Sequence, residues 1–178
     1  SELPALFAKI KVEAATSPLM FDALLIGFYT LLRPGEYCCL RWDWIKDDVI
    51  YVPAEVMKMK RPHRVPITHQ LQAVLDRRLK ISDYVLFSPR VLNKPIKTDA
   101  IEKFLREHGF RGILVPHGIR SIGRTWMSEN KVPFATAELC LAHSVGSATV
   151  QAYDRADMLD ERKEVMAKWC MYVESCLK

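Results

Sequence analysis

Six residues of this chain carry side chains suited to gripping a phosphate or moving a proton: Arg33, Lys58, His117, Arg120, His143 and Tyr153, in that order. Arginine offers a planar fork of donors that matches two phosphate oxygens at once. Histidine donates to an oxygen or shuttles a proton near neutral pH. Lysine brings a mobile positive charge, and tyrosine carries a hydroxyl that can attack phosphorus and hold the product covalently. A phenol has an ordinary pKa of about 10, so roughly a thousandth is ionised at neutral pH. A nucleophilic Tyr153 therefore needs cations or a base beside it, and the other five residues are of the types that supply them. The chemistry open to this set is transesterification at a phosphodiester.

Taken singly, each member has a plainer reading. Arg33, in LLRPGEYCCLRW, stands at a helix break held rigid by Pro34-Gly35, and Glu36 can reach back to the turn or orient the guanidinium. Alone it is as simply an arginine–glutamate pair capping a helix. His117 and Arg120, in HGIRSIGRTWM, lie three apart on a predicted helix and so share a face; a surface pair beside a core helix is the plainer alternative. His143 ends one predicted helix and Tyr153 follows ten residues later on the next, a spacing that lets a loop fold both towards one site. Tyr153 is otherwise an ordinary half-buried helix tyrosine. Lys58, in VMKMKRPHRVPI, heads a basic cluster in which Lys60, Arg61 and Arg64 are assigned to DNA phosphate-backbone contacts.

The elements that must position these residues can be read from pattern. Ser17-Pro18 gives an N-cap followed by proline at the first helical position, opening a helix to about Leu32. A short helix is expected over Glu36–Leu40. Val49–Pro53 and His63–Ile67 are β-prone runs expected to pair as a small antiparallel sheet, with the basic segment between or beside them. Thr68 can cap a helix through Leu79, with Arg77, Arg78 and Lys80 as its solvated end, and Tyr84–Phe87 can add a short strand. Helices are then expected over Thr98–His108, His117–Asn130, Pro133–Leu141, Val145–Ala156 and Leu159–Cys176.

Composition sets the outer bounds. With 178 residues, 49% of them hydrophobic and 26% charged, the chain has enough material for one domain with a sizeable core. The net charge of +5 tilts weakly towards polyanionic partners. Five cysteines show no CxxC pair, so no zinc site of ordinary spacing is visible, and they read as small apolar fillers suited to a reducing compartment. No secretory signal opens the chain and no apolar run reaches membrane-spanning length. The opening SELPALFAKI reads as a helix entered part-way, which predicts a domain excised from a longer protein.

Together, LLRPGE around Arg33, MKMKRPHRVPI around Lys58, HGIRS from His117, LAH ending at His143 and QAYDRADMLDERKEVMAKW around Tyr153 resemble the catalytic domain of the tyrosine recombinases, or phage integrases. The branch most similar is that of satellite prophages and genomic islands, and the resemblance runs from about Leu6 to Tyr172. It implies an α+β, mainly helical fold with a small antiparallel sheet, and a single catalytic domain over 1–178 without the amino-terminal core-binding and arm-binding domains. It implies roles as well. Arg33 and Arg120 would hold the non-bridging oxygens, His117 would give acid–base support and His143 would hydrogen-bond the phosphate. Lys58 would protonate the leaving 5′-oxygen, and Tyr153 would attack to leave a 3′-phosphotyrosine. Lys60 competes for the acid role, but Lys58 has the spacing to Val65-Pro66 that resembles the family's lysine. Bond energy is kept in the covalent link, so neither ATP, a metal nor another cofactor is required.

Two departures are visible. Many relatives carry glycine where Ala142 stands, and many have nine rather than ten residues from the histidine to the tyrosine; both variants suit the genomic-island branch. The resemblance further implies duplex attachment sites as partners, a tetramer on DNA, accessory DNA-bending or directionality proteins, and a cytoplasmic, nucleoid-associated location in a bacterium. A monomer or weak dimer is expected without DNA, with the apolar stripe of Leu159–Cys176 either docked on a neighbour or folded back on its own domain. A type IB topoisomerase or hairpin-forming resolvase would share the chemistry. A non-enzymatic DNA-binding domain would use the basic hairpin alone.

Overall fold

The computed structural model describes residues 3–14, 16–144 and 157–178. Its elements are α1 (Leu3–Ala14), α2 (Pro18–Thr30), α3 (Pro34–Cys38), a 3-10 turn (Trp42–Trp44), β1 (Ile45–Lys46), β2 (Val49–Val52), β3 (His63–Pro66), α4 (His69–Asp76), α5 (Thr98–Glu107), α6 (Gly118–Glu129), α7 (Phe134–Cys140) and α8 (Leu159–Cys176). The mainly helical α+β expectation holds. The predicted helix over Val145–Ala156, and Tyr153 with it, lies outside the described residues.

Helix α2 organises the rest. Every residue from Asp22 to Thr30 is buried, as befits a helix apolar on all sides and surrounded by others. It packs against α1, α3, α4, α5, α6 and α8. Ser17 occupies its N-cap position without a side-chain hydrogen bond, and Pro18 starts the first turn, where a missing N–H costs nothing. Helix α8 folds back on this core. Trp169 is fully buried, its indole N–H donates to the Phe28 carbonyl at 2.6 Å, and the Cys170 thiol points to the Tyr29 carbonyl at 3.7 Å. All five cysteines are free thiols, with Cys38, Cys140 and Cys170 buried as fillers.

The sheet is antiparallel in the order β1-β2-β3, with Ile50 opposite Val65 and Tyr51 opposite Arg64. Residues 53–62 connect β2 to β3 and carry Lys58, Lys60 and Arg61, as the hairpin reading places them; Arg64 itself lies in β3. Strand β1 was not anticipated. Over Tyr84–Phe87 there is no strand, only the isolated bridges Arg41–Tyr84 and Phe87–Pro95.

Element ends moved where tertiary partners took over. Thr68 does cap α4, its hydroxyl accepting from the Leu71 N–H at 3.3 Å. The helix stops at Asp76 instead of Leu79, and beyond it Arg77 and Arg78 both reach the buried carboxylate of Asp22. The Arg77 Nε lies 2.8 Å from one Asp22 oxygen, and the Arg78 Nη1 lies 3.3 Å from the other. Arg78 is therefore not part of a solvated helix end, whereas Arg77 pairs with Asp22 from the exposed surface. A buried carboxylate demands cationic donors, and they supply them. Lys80 is exposed as well, its ammonium over the ring of Trp42 at 4.9 Å.

Candidate active site

The end of α2 builds the first wall of the site. The helix closes at Thr30, and Leu31 takes left-handed backbone angles (φ 52°) while its N–H bonds the Gly27 carbonyl at 3.0 Å. That turn frees the Leu31 carbonyl and starts a new direction at Arg33. Arg33 is the N-cap of α3, and Glu36 reaches back to it twice. One carboxylate oxygen accepts from the Arg33 N–H at 2.8 Å, and the other from its Nη1 at 3.2 Å. The guanidinium is 15% exposed and Glu36 only 3%, so Arg33 is fixed at the surface by a buried anion.

Arg120 comes from the first turns of α6 and is buried. It donates to the Leu31 carbonyl through Nη1 and to the Leu141 carbonyl through Nη2 at 2.6 Å, and Nη2 lies 3.0 Å from the His143 Nε2. Burial first, and then the repulsion of Arg33, push its pKa down to about 10; it stays charged at neutral pH. Arg33 therefore stands near enough for its charge to bear on Arg120, a repulsion that an incoming anion would relieve.

His143 is delivered by the end of α7. Ala142 adopts left-handed angles (φ 53°), its N–H bonds the Leu139 carbonyl at 3.1 Å, and the His143 N–H bonds the Glu138 carbonyl at 2.9 Å. This is a Schellman closure, usually served by glycine. The ring is fixed as well, with Nδ1 2.7 Å from the Glu138 Oε2, while the Glu138 Oε1 takes the Arg124 Nε at 2.7 Å.

Lys58 lies on the β2–β3 connection with an exposed side chain, and its backbone N–H donates to the Glu36 Oε1 at 3.2 Å. One carboxylate thus ties the turn bearing Lys58 to Arg33. Lys60 turns its ammonium to the Glu55 carbonyl at 3.0 Å, and Arg61 is exposed. Arg64 is engaged within the protein, its guanidinium forming a two-pronged pair with Asp157. The buried Arg162 of α8 completes that knot, donating to the Asp157 side chain at 3.2 Å, to the Asp157 carbonyl at 2.8 Å and to the Arg64 carbonyl at 2.8 Å.

A cavity of about 170 Å³ opens between the hairpin, α7 and the start of α8, with His63, His143, Arg61, Asp157 and Arg162 on its walls. Burial, reinforced by the charge of Arg162 and more weakly by Arg120 and Arg33, pushes His63 down to about 3 against the pull of Asp157. It is a neutral imidazole among cations.

The structure therefore brings together Arg33, Arg120 and His143, with Lys58 attached through Glu36. His117 stands exposed at the N-cap of α6, one turn before Arg120. Among the described residues its ring is hydrogen-bonded to none of the other four. Sequence reading passed over Glu138, His63, Asp157 and Arg162. For Glu138 a signal existed: it lies five positions before His143, the span that a Schellman closure brings into register.

The phage integrase family profile matches residues 1–159, most of the chain. The chain belongs to the phage integrase family. This integrase-family chain is 33% identical to prophage integrase IntZ of Escherichia coli (strain K12), over 99% of its own length and 44% of that protein. It is 30% identical to the integrase of Shigella phage Sf6, over 97% of its length and 46% of that protein. It spans less than half the length of these relatives. Among solved structures, the lambda integrase catalytic core aligns with a TM-score of 0.63 and 21% identity, covering 80% of this chain and 90% of that one. XerA recombinase aligns with a TM-score of 0.64 and 23% identity, covering 98% and 62%. At such identities the two structures speak for the shared fold.

Proposed function

We propose that residues 1–178 form the catalytic domain of a site-specific tyrosine recombinase that cleaves and rejoins DNA. The observation that carries this reading is the contact of Arg120 with His143 at 3.0 Å, with the charge of Arg33 bearing on the same place, in a chain of the phage integrase family. Two separate elements bring positive charge to the place where a phosphodiester would sit and a third brings the His143 ring, and positioned charge is what a phosphoryl-transfer transition state needs.

In this mechanism Arg33 and Arg120 take the non-bridging oxygens, and His143 hydrogen-bonds the phosphate. The Tyr153 hydroxyl attacks phosphorus, with His117 supporting the proton transfer. The bond to the 5′-oxygen breaks as Lys58 protonates it, leaving a 3′-phosphotyrosine. The hydroxyl of a partner strand then reverses the step. Lys58 is preferred to Lys60 because its turn is tied to the Arg33–Glu36 pair, whereas the Lys60 ammonium is turned to the Glu55 carbonyl. Arg61 and Lys60 contact flanking phosphates, and Arg64 does so by exchanging Asp157 for DNA. The partners are duplex attachment sites, with a tetramer on DNA and accessory directionality or bending proteins, at the bacterial nucleoid in the cytoplasm. Among the described residues no helix is long and apolar enough to cross a membrane.

The test uses a pool of nicked suicide duplexes in EDTA, scored for an SDS-resistant protein–DNA adduct, with wild type beside Tyr153→Phe. An adduct confined to wild type is expected. An adduct that survives Tyr153→Phe overturns the mechanism. If neither this chain nor a longer integrase carrying it forms one, the DNA-binding reading without chemistry takes over.

A further inference from the structure

Glu138 has both carboxylate oxygens committed, and to partners of different kinds. Oε1 receives the Nε of Arg124, whose guanidinium also lies over the Phe134 ring at 5.5 Å; Oε2 receives the His143 Nδ1. The carboxylate is 16% exposed. Burial works to raise its pKa, but the bonds from Arg124 and His143 together hold it below the usual carboxylate range. It is an anion clamped from α6 and handed to His143.

Two bonds run from this one residue to His143. The Glu138 carbonyl accepts the His143 backbone N–H, and the Glu138 side chain meets the ring. Main chain and imidazole are thus fixed by the same turn of helix. The inventory of donors then decides the tautomer. An ionised carboxylate only accepts, so Nδ1 carries a hydrogen; Nε2 offers its lone pair to Arg120 in the free site and must take up a proton to donate to a phosphate, a charge that the Glu138 carboxylate at Nδ1 supports. The ring is threaded between an acceptor on one side and a donor on the other, in a single orientation.

We propose that Glu138 is a positioning residue of the strand-transfer centre, setting the tautomer and ring plane of His143 so that Nε2 faces the place where Arg120 meets the phosphate. This rests on the recombinase reading of the site. Arg124 serves Glu138 in the same way, one step further out. A carboxylate that orients a working histidine is a recurrent device, and its removal leaves the histidine present but misdirected.

The test combines two readouts. In single-turnover cleavage of a saturating nicked suicide duplex, Glu138→Ala should slow adduct formation on the order of 10–100-fold, the range for losing an orienting partner, while duplex affinity is unchanged. On a His143→Ala background the same substitution should change the rate little, because its effect passes through that ring. Nitrogen-15 NMR of the His143 imidazole should show the Nδ1–H form in wild type and its loss in Glu138→Ala. Arg124→Met, which keeps the carboxylate but removes its clamp, should move both readouts the same way and carries the test if Glu138→Ala does not fold. Equal slowing with and without His143 overturns the proposal, as does an Nε2–H tautomer in wild type. If neither wild type nor a longer integrase carrying it forms an adduct, the recombinase reading falls. The NMR readout still decides the positioning claim, since an Nδ1–H form that survives Glu138→Ala overturns it.

Discussion

At the scale of single residues, the site depends on backbone conformations that its side chains do not favour. Leu31 and Ala142 both take left-handed angles, and each exposes a carbonyl or a ring that the site uses. A Cβ in that conformation costs roughly 1–2 kcal/mol, partly offset because glycine leaves a more disordered unfolded chain. Ala142→Gly is therefore expected to stabilise the domain by about 1 kcal/mol or less. Chemical denaturation would measure it, and a loss of stability would show that the turn is held by something other than its hydrogen bonds. Residue types were the most legible level of the sequence. Arg33, Arg120 and His143 announce phosphate chemistry by identity and context alone. Glu138 and Asp157 did not, because a carboxylate means nothing until its cation is known, and Arg64 lies 93 positions from Asp157.

At the scale of elements, α6 must approach the end of α2 closely enough for Arg120 to reach Leu31. Gly123 permits it, since a Cβ there would stand 2.6 Å from the Leu31 Cδ2. Leu31 is fully buried and has no room to yield. Gly123→Ala should push α6 outwards, cost about 1–3 kcal/mol by overpacking, and slow suicide-substrate cleavage by drawing Arg120 from its acceptor. Thermal melts alongside cleavage rates would test this; a variant with normal stability and rate would mean that α6 has slack. Elements were legible wherever local pattern governs them. The helix from Leu159 to about Cys176 is legible in the sequence, as is the β2–β3 pairing in its β-prone runs. The ends of α2 and α4 are not: beyond them Leu31 meets Arg120 and Arg77 meets Asp22, contacts that local pattern does not show.

At the scale of the molecule, His63 links the site to acid stability. Its ordinary pKa of 6.5 falls to about 3 on folding. Between those values the unfolded chain binds a proton that the native one refuses, so stability is full above pH 6.5 and declines as pH falls. The slope is at most about 1.4 kcal/mol per pH unit, the limit for a single proton. The carboxylates of Glu138 and Asp157, both held below their ordinary values, add their own loss only below about pH 4.5. Denaturation midpoints from pH 7 to 4.5 should therefore fall in wild type and flatten in His63→Gln. Parallel slopes would remove His63 as the cause.

The knot of Arg64, Asp157 and Arg162 is a mooring. Asp157 is moored to β3 and to α8 at once, and Tyr153 lies four residues before it. The residues that precede Asp157 in sequence, Tyr153 among them, are joined by the covalent chain to a post that α8 and β3 hold from two sides. When Arg64 gives up Asp157 for DNA, the two bonds from Arg162 keep that post anchored on α8.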